Sequence, residues 1–177
     1  MRRKDREQSV AFGLQVIDAA PFGTLCLADP ADPALPYAVP LSLVRQERTL
    51  YFHAAKAGTK TELLRDGANV RVVFVSQAEV PTVYSDKDIE ATLAAGTAGP
   101  LLSSVFTTEF RSAVVTGSVH PVADAAEHKS ALERICQKYT PDKMAYFEAA
   151  YESGAAYTAV YRIEIETITA KAKRVER

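Results

Sequence analysis

The hydrophobic positions of the chain follow two spacings, one typical of strands and one typical of helices. Val10, Leu14 and Ile17 recur at helical spacing, so residues 5–19 are predicted to form an amphipathic helix. Strict alternation of apolar and polar residues over 157–169 predicts a half-buried strand near the end of the chain.

Between these two segments, β-branched and alternating runs bounded by turn residues predict further strands over 22–28, 37–44, 49–54, 69–76 and 109–122. The last of these is expected to bend at Gly117. Helices are predicted over 59–66, 86–95, 124–139 and 141–151, and Asp124 and Glu127 stand at the spacing of a capping box. Six strands without a repeated βαβ unit predict an α+β fold, mostly β: a six-stranded antiparallel barrel with peripheral helices.

Composition narrows the class of protein. The 177 residues suit a single domain over 1–177, and 47% hydrophobic with 24% charged residues is ordinary for a folded chain. A net charge of -1 gives no general attraction to nucleic acid or anionic membranes. Cys26 and Cys136 form no C-x-x-C or zinc-ligand spacing, so no metal site is expected. Without an apolar signal sequence or membrane span, the cytoplasm is the expected compartment.

The most informative stretch is 37–64, which predicts two strands joined by a turn and then a helix. The turn is expected over 45–48, and the helix opens with Gly58, Thr59, Lys60 and Thr61. A helix start offers unpaired N–H groups and a positive dipole end, so two hydroxyls and a lysine there indicate a phosphate site. An ordinary solvated helix start is the alternative.

His53 is the candidate reactive side chain. Alternation in its strand puts Phe52 on one face and both Tyr51 and His53 on the other. Small residues follow it and leave room for a ligand, although a polar residue on a solvent-exposed face would give the same pattern. His120 is expected in a turn at a strand end, and His128 on a solvated helix surface. No G-x-G-x-x-G, Walker A or G-x-S-x-G motif is present.

Several segments together resemble the FMN-binding split-barrel superfamily, in its pyridoxamine 5′-phosphate oxidase-like group and nearest to the nitroimidazole-resistance (Nim-type) flavoproteins. They are, in order, MRRKDRE, APFGTLCLAD, PYAVPLSLV, TLYFHAAKAGTKTELL, FTTEFRSAVVTGSV and YTAVYRIEIETITAKAKR. The chain departs from that pattern over 77–104, where it carries an extra helix-like piece, and in the proline-rich loop before Tyr37.

The resemblance implies a homodimer of six-stranded split barrels, with two FMN molecules in grooves between the subunits. By similarity, the cofactor-binding residues are Val39, Pro40, Leu41 and Ser42 along the flavin, His53 and Ala54 beside it, Thr59 and Lys60 at the phosphate, and Arg111 and Ser112 from the long strand, in the same or the partner subunit. Arg111 has the alternative of an exposed strand arginine.

The resemblance also implies an activity, in which the flavin does the chemistry and the protein positions it. No set of basic residues for a second substrate phosphate is evident, which disfavours vitamin B6 oxidation. An FMN-dependent reductase of small organic acceptors such as nitroaromatics is therefore expected, with His53 as the catalytic residue. The alternatives are an F420-dependent reductase and a non-enzymatic flavin- or haem-binding protein, in which His53 would ligate the iron.

Overall fold

Alternating and β-branched runs build one antiparallel sheet in the computed structural model, which describes residues 3–32, 34–97 and 99–175. Its strands are β1 (Glu7–Gln8), β2 (Gly23–Leu27), β3 (Tyr37–Leu41), β4 (Val44–Gln46), β5 (Thr49–Ala55), β6 (Ala68–Glu79), β7 (Glu109–Pro121) and β8 (Thr158–Lys173). Their order is β3-β2-β6-β7-β8-β5-β4, and β1 pairs with β8.

The helices lie around this sheet. They are α1 (Val10–Ala19), α2 (Thr59–Leu63), α3 (Asp86–Ala94), α4 (Gly99–Ser104), α5 (Ala125–Tyr139) and α6 (Phe147–Gly154), with 3₁₀ turns at Lys4–Arg6, Pro141–Tyr146 and Ala155–Tyr157. The predicted class, mostly β with peripheral helices, is confirmed. Within the described ranges, no helix is long and apolar enough to cross a membrane.

The sheet curls because its two end strands are neighbours in sequence. A flat sheet of seven strands spaced about 4.8 Å apart would separate β3 from β4 by roughly 29 Å. Only Ser42 and Leu43 join these strands, and that link spans at most about 11 Å. β3 and β4 are nevertheless not paired with each other, so the barrel is split at this junction.

The predicted count of six strands was wrong, because the described residues contain eight. The predicted strand 37–44 divides at Ser42: β3 pairs with β2, whereas β4 pairs with β5. The hairpin turn is correspondingly tighter than expected, with only Glu47 and Arg48 between the paired residues Gln46 and Thr49.

The predicted first helix also began too early. Ser9 is its N-cap, accepting a hydrogen bond from the Phe12 N–H at 3.1 Å, so α1 starts at Val10. The preceding residues form a 3₁₀ turn and β1 instead, and the pairing of Glu7 with Lys171 extends the sheet beside β8.

The core lies inside the curl, and α1 fills it. Val16 and Ile17 are each 1% exposed and pack among inward residues of β2, β5, β6, β7 and β8. A Cβ on Gly13 would come within 2.6 Å of Ile168 Cγ2, so glycine lets the helix approach β8 this closely.

α5 covers the outer side of the barrel near β4 and β5. Ala131 packs there against Tyr51 and Val160. Asp124 is the N-cap, accepting from the Glu127 N–H at 2.8 Å. The expected capping box is not formed, because the Glu127 carboxylate instead accepts from the Tyr51 hydroxyl at 3.0 Å.

The bend expected at Gly117 is a register shift between β7 and β8. Thr116 pairs with Thr167, but Gly117 pairs with Ile165, which leaves an extra residue on β8. A Cβ on Gly117 would lie 2.1 Å from the carbonyl oxygen of Glu164. Only glycine fits this close approach of two backbones.

Candidate functional site

The link between β3 and β4, at the split in the barrel, forms the first wall of the candidate site. Leu43, in the link, is 1% exposed, yet its backbone polar groups pair with no strand. The Tyr139 hydroxyl accepts from the Leu43 N–H at 3.0 Å and donates to its carbonyl at 2.9 Å. Lys138 Nζ donates to the same carbonyl at 3.0 Å. Sequence reasoning missed both α5 residues, which are almost a hundred positions away from Leu43.

β5 forms the second wall and carries His53. The predicted alternation is confirmed: Phe52 points into the core and stacks on Tyr161 with ring centroids 5.3 Å apart, whereas His53 is exposed on the opposite face. The Ala54 side chain is 4% exposed and belongs to the core, so only its backbone can meet a ligand.

α2 begins just beyond β5. Gly58 has a φ of +110°, a conformation that glycine adopts without strain, and this turns the chain into the helix. The Thr61 hydroxyl donates to the Ala55 carbonyl at 2.9 Å, which fixes the helix start to the end of β5. Thr59 is exposed and Lys60 is half-buried there.

His53 and Lys60 are close enough to affect each other electrostatically. Partial burial of the imidazole lowers the pKa of His53, and the positive charge of Lys60 lowers it further. Burial also lowers the pKa of Lys60 itself. Lys60 forms no salt bridge among the described residues, so its charge is available to an anionic ligand.

The residues predicted to line the flavin from β3 do not share one face. Val39 and Leu41 are half-buried and pack against the core. Pro40 is exposed on the outer face, and Ser42 is exposed at the split. Because β4 and β5 are antiparallel, the chain before Val44 and the chain after Tyr51 run towards the same end of the barrel, which brings Ser42 towards His53.

The two residues predicted on β7 point to opposite faces. Arg111 lies at the inner side, with its guanidinium carbon 4.6 Å from the centre of the Phe12 ring on α1. This contact is a cation–π interaction, which explains the arginine without a ligand. Ser112 faces outward with Val114 and Thr116.

Ser112 lies in a groove on the outer face of β6, β7 and β8. The groove has a volume of about 520 Å³ and is lined by Arg71, Ser112, Val114, Thr116, Thr167, Thr169 and Lys171. A neighbouring hollow of about 620 Å³ shares Arg71 and Thr116 with it. Sequence reasoning missed Arg71, although a lone arginine in the β-branched run 69–76 was a usable signal.

The other two histidines are held by the fold. His120 lies within β7, not in the predicted turn: its Nδ1 is 2.7 Å from Asp66 Oδ1, and its Nε2 is 3.1 Å from the Ser118 hydroxyl. His128 is half-buried, and its Nε2 donates to the Thr158 carbonyl at 3.1 Å. Throughout the described ranges, no three His, Cys, Asp or Glu side chains are grouped to hold a metal ion.

The structure thus brings together only some of the residues that were predicted to bind the cofactor. His53, Thr59 and Lys60 meet at the end of β5, and Ser42 lies towards them across the split. Pro40 and Ser112 share the outer face of the sheet, separated by β2 and β6. Arg111 and the side chains of Val39, Leu41 and Ala54 face inward.

The fold and site define a split β-barrel with His53 and Lys60 at the end of β5, beside its split. Residues 13–172 match the family model described as pyridoxamine 5′-phosphate oxidase. The chain therefore belongs to the pyridoxamine 5′-phosphate oxidase-like family. No curated protein matches the sequence significantly.

Three solved structures share the fold, each at less than 25% sequence identity. A proposed 5-nitroimidazole antibiotic resistance protein from Bacteroides thetaiotaomicron is 22% identical, with a TM-score of 0.67 and 93% of this chain and 84% of that chain covered. An FAD and heme binding protein from Mycobacterium smegmatis is 19% identical, with a TM-score of 0.73 and coverage of 96% and 74%. The flavocytochrome Anf3 from Azotobacter vinelandii is 15% identical, with a TM-score of 0.75 and coverage of 99% and 72%.

Proposed function

We propose that this chain is an FMN-dependent reductase of small organic acceptors such as nitroaromatics, working as a cytoplasmic homodimer of one FMN-binding domain, residues 1–177. The single observation that carries the proposal is the half-buried Lys60 at the start of α2, close to the exposed His53 at the end of β5. Family membership and the shared fold of the nitroimidazole-resistance structure support the same choice.

The chemistry of the donors at α2 fits a phosphate monoester. Lys60 supplies a charge, Thr59 supplies an exposed hydroxyl, and the backbone N–H groups of Thr59 and Lys60 precede the first helical hydrogen bond, which Thr61 donates to Gly58. A phosphate there would raise the pKa of both Lys60 and His53, because it would replace mutual repulsion by attraction. FMN, when bound, supplies the hydride or electrons that reduce the acceptor.

His53 is assigned to proton exchange with the acceptor or to shaping the flavin pocket. Its lowered pKa leaves it neutral near pH 7, so it can accept a proton. Ser42 and the backbone of Ala54 would border the ring system on either side of the split.

The outer face of the sheet is the surface proposed to meet the second subunit. Residues paired across neighbouring strands form rows on this face, and one such row is Thr24, Val73, Val114 and Thr169. Within the described chain, α1 packs inside the curl and α5 lies over β4 and β5, so neither helix covers this face. A sheet face of four strands offers about 400 Å² here, roughly half of what one partner buries in a standard interface, so neighbouring loops must contribute the rest.

The proposal is tested by cofactor content and by turnover. The purified protein should release FMN in a 1:1 ratio to chain on denaturation, and it should reduce a nitroaromatic acceptor with a chemical reductant. His53→Ala should retain FMN and lower turnover at saturating reductant, with a changed pH profile between about pH 5.5 and 8.5, around the reference value of 6.5. Failure to bind FMN at micromolar concentration would contradict the proposal. Unchanged turnover and pH profile would remove His53 from the mechanism.

A haem-binding function is the second candidate, favoured by His53 alone. An exposed imidazole that is kept neutral by its lowered pKa is in the form that ligates iron. Two fold neighbours are named for heme or as a flavocytochrome. A chain that takes up haem but neither FMN nor the deazaflavin F420 would establish this candidate instead.

A further inference from the structure

One helix, α5, contacts both walls of the candidate site: the β3–β4 link and β5. At the first turn of α5, Glu127 accepts from the Tyr51 hydroxyl on β5 at 3.0 Å and from Arg162 on β8 at 3.2 Å. At its last turn, Tyr139 holds both backbone polar groups of Leu43 at 3.0 and 2.9 Å. Glu127 and Tyr139 are separated by about 18 Å along a helix.

These contacts connect directly to the candidate site. Leu43 follows Ser42 at the split, and Tyr51 precedes His53 by two residues on the same strand face. Since β3 and β4 are not paired with each other, no ladder of backbone hydrogen bonds sets the width of the split. Among the described residues, the hydrogen bonds that Leu43 makes to side chains all come from α5.

From this arrangement we propose that Tyr139 is a positioning residue: α5 braces the split between β3 and β4, and the Tyr139 hydroxyl sets where Ser42 and Leu43 lie relative to His53 at the cofactor site. Within the described residues Tyr139 forms no hydrogen bond to His53 or Lys60, and its hydroxyl bonds only to the backbone of Leu43. Burial raises the pKa of Tyr139, which keeps the hydroxyl protonated and able to donate.

The proposal rests on the proposed FMN function, and it deepens it. Tyr139→Phe removes one hydroxyl that serves two backbone groups, while Lys138 still serves the Leu43 carbonyl. The loss of about one net hydrogen bond predicts roughly fivefold weaker FMN binding and a changed flavin absorption or circular dichroism band. Tyr146→Phe is the matched control, because Tyr146 is 69% exposed and should leave both readouts unchanged.

A second control separates positioning from lost stability. Phe147→Leu trims a side chain that is 8% exposed on α6, so it should lower the free energy of unfolding without touching the split. If this variant weakens FMN as much as Tyr139→Phe does, or if Tyr139→Phe binds FMN like the wild type, the proposal is overturned. Should Tyr139→Phe fail to fold, Lys138→Met tests the same brace through the Leu43 carbonyl.

Amide hydrogen exchange makes the brace testable without any cofactor. Tyr139→Phe should speed exchange of the Leu43 amide at least tenfold while the amides at the centre of β7 keep their rates. A protein that shows this exchange result but binds no FMN would contradict the proposed function and leave the brace intact. Unchanged Leu43 exchange would refute the brace itself.

Discussion

Replacing Lys60 by alanine tests the phosphate site with the least ambiguity. Lys60 is half-buried at the start of α2, its pKa is lowered by burial, and it forms no salt bridge within the described residues. A phosphate would therefore be its first charged partner. A hydrogen bond to a charged group contributes about 1.5–3 kcal/mol, which corresponds to roughly 10–150-fold weaker FMN binding in Lys60→Ala.

Riboflavin is the matched ligand, because it carries the same ring system without the phosphate. Titration followed by flavin fluorescence should give Lys60→Ala a much weaker Kd for FMN and nearly the wild-type Kd for riboflavin. Lys56→Ala is the matched protein control, since Lys56 is an exposed lysine four residues earlier. Added salt should narrow the gap between the two ligands in the wild type. If Lys60→Ala weakens FMN and riboflavin by the same factor, Lys60 acts on the ring or on folding, and the phosphate assignment is wrong.

Three further outcomes are expected. The pKa of His53, followed by NMR, should rise when FMN binds and stay low with riboflavin, because only the phosphate offsets the charge and burial that depress it; equal rises would exclude a phosphate effect. Gly117→Ala should lower the free energy of unfolding in urea by at least about 2 kcal/mol, since its Cβ would meet a backbone oxygen. A Cβ added at Gly154 meets nothing within 4 Å, so Gly154→Ala should be neutral or slightly stabilising. Similar losses of unfolding free energy in Gly117→Ala and Gly154→Ala would refute the steric reasoning. Light scattering should give twice the 19.2 kDa chain mass. Val114→Lys on the outer face of the sheet should shift the measured mass towards that of one chain, whereas the control Ala123→Lys, at an exposed position, should leave it unchanged. A Val114→Lys protein that remains a dimer would exclude the outer face as the interface.

Much of the fold follows from local pattern. The core-facing residues of β5, the start of the last strand at Thr158 and the irregularity at Gly117 all express a period of two or a glycine that cannot be replaced. The split at Ser42 could not be predicted in the same way. It depends on β3 and β4 choosing different partners, and these partner strands are supplied by distant parts of the chain.

The candidate site likewise contains residues that local sequence features predict and residues that they do not. His53 and Lys60 were found because a strand face and a helix start are local features. Alternation alone also shows that Arg111 and Ser112 occupy opposite faces of β7, which the resemblance had grouped together. Tyr139 was missed because a tyrosine at the end of an amphipathic helix has many ordinary uses, and its contact with Leu43 exists only in three dimensions.

The visible absorption spectrum of the purified protein, followed by mass analysis of the released chromophore, tests the central claim most directly. Flavin, deazaflavin and haem have distinct visible bands, and the mass of the released molecule separates FMN from riboflavin and FAD. The account predicts a flavin spectrum and released FMN at one molecule per chain, after FMN is supplied if the protein is purified without it. A haem or deazaflavin spectrum, or a protein that stays colourless in the presence of FMN, would contradict it.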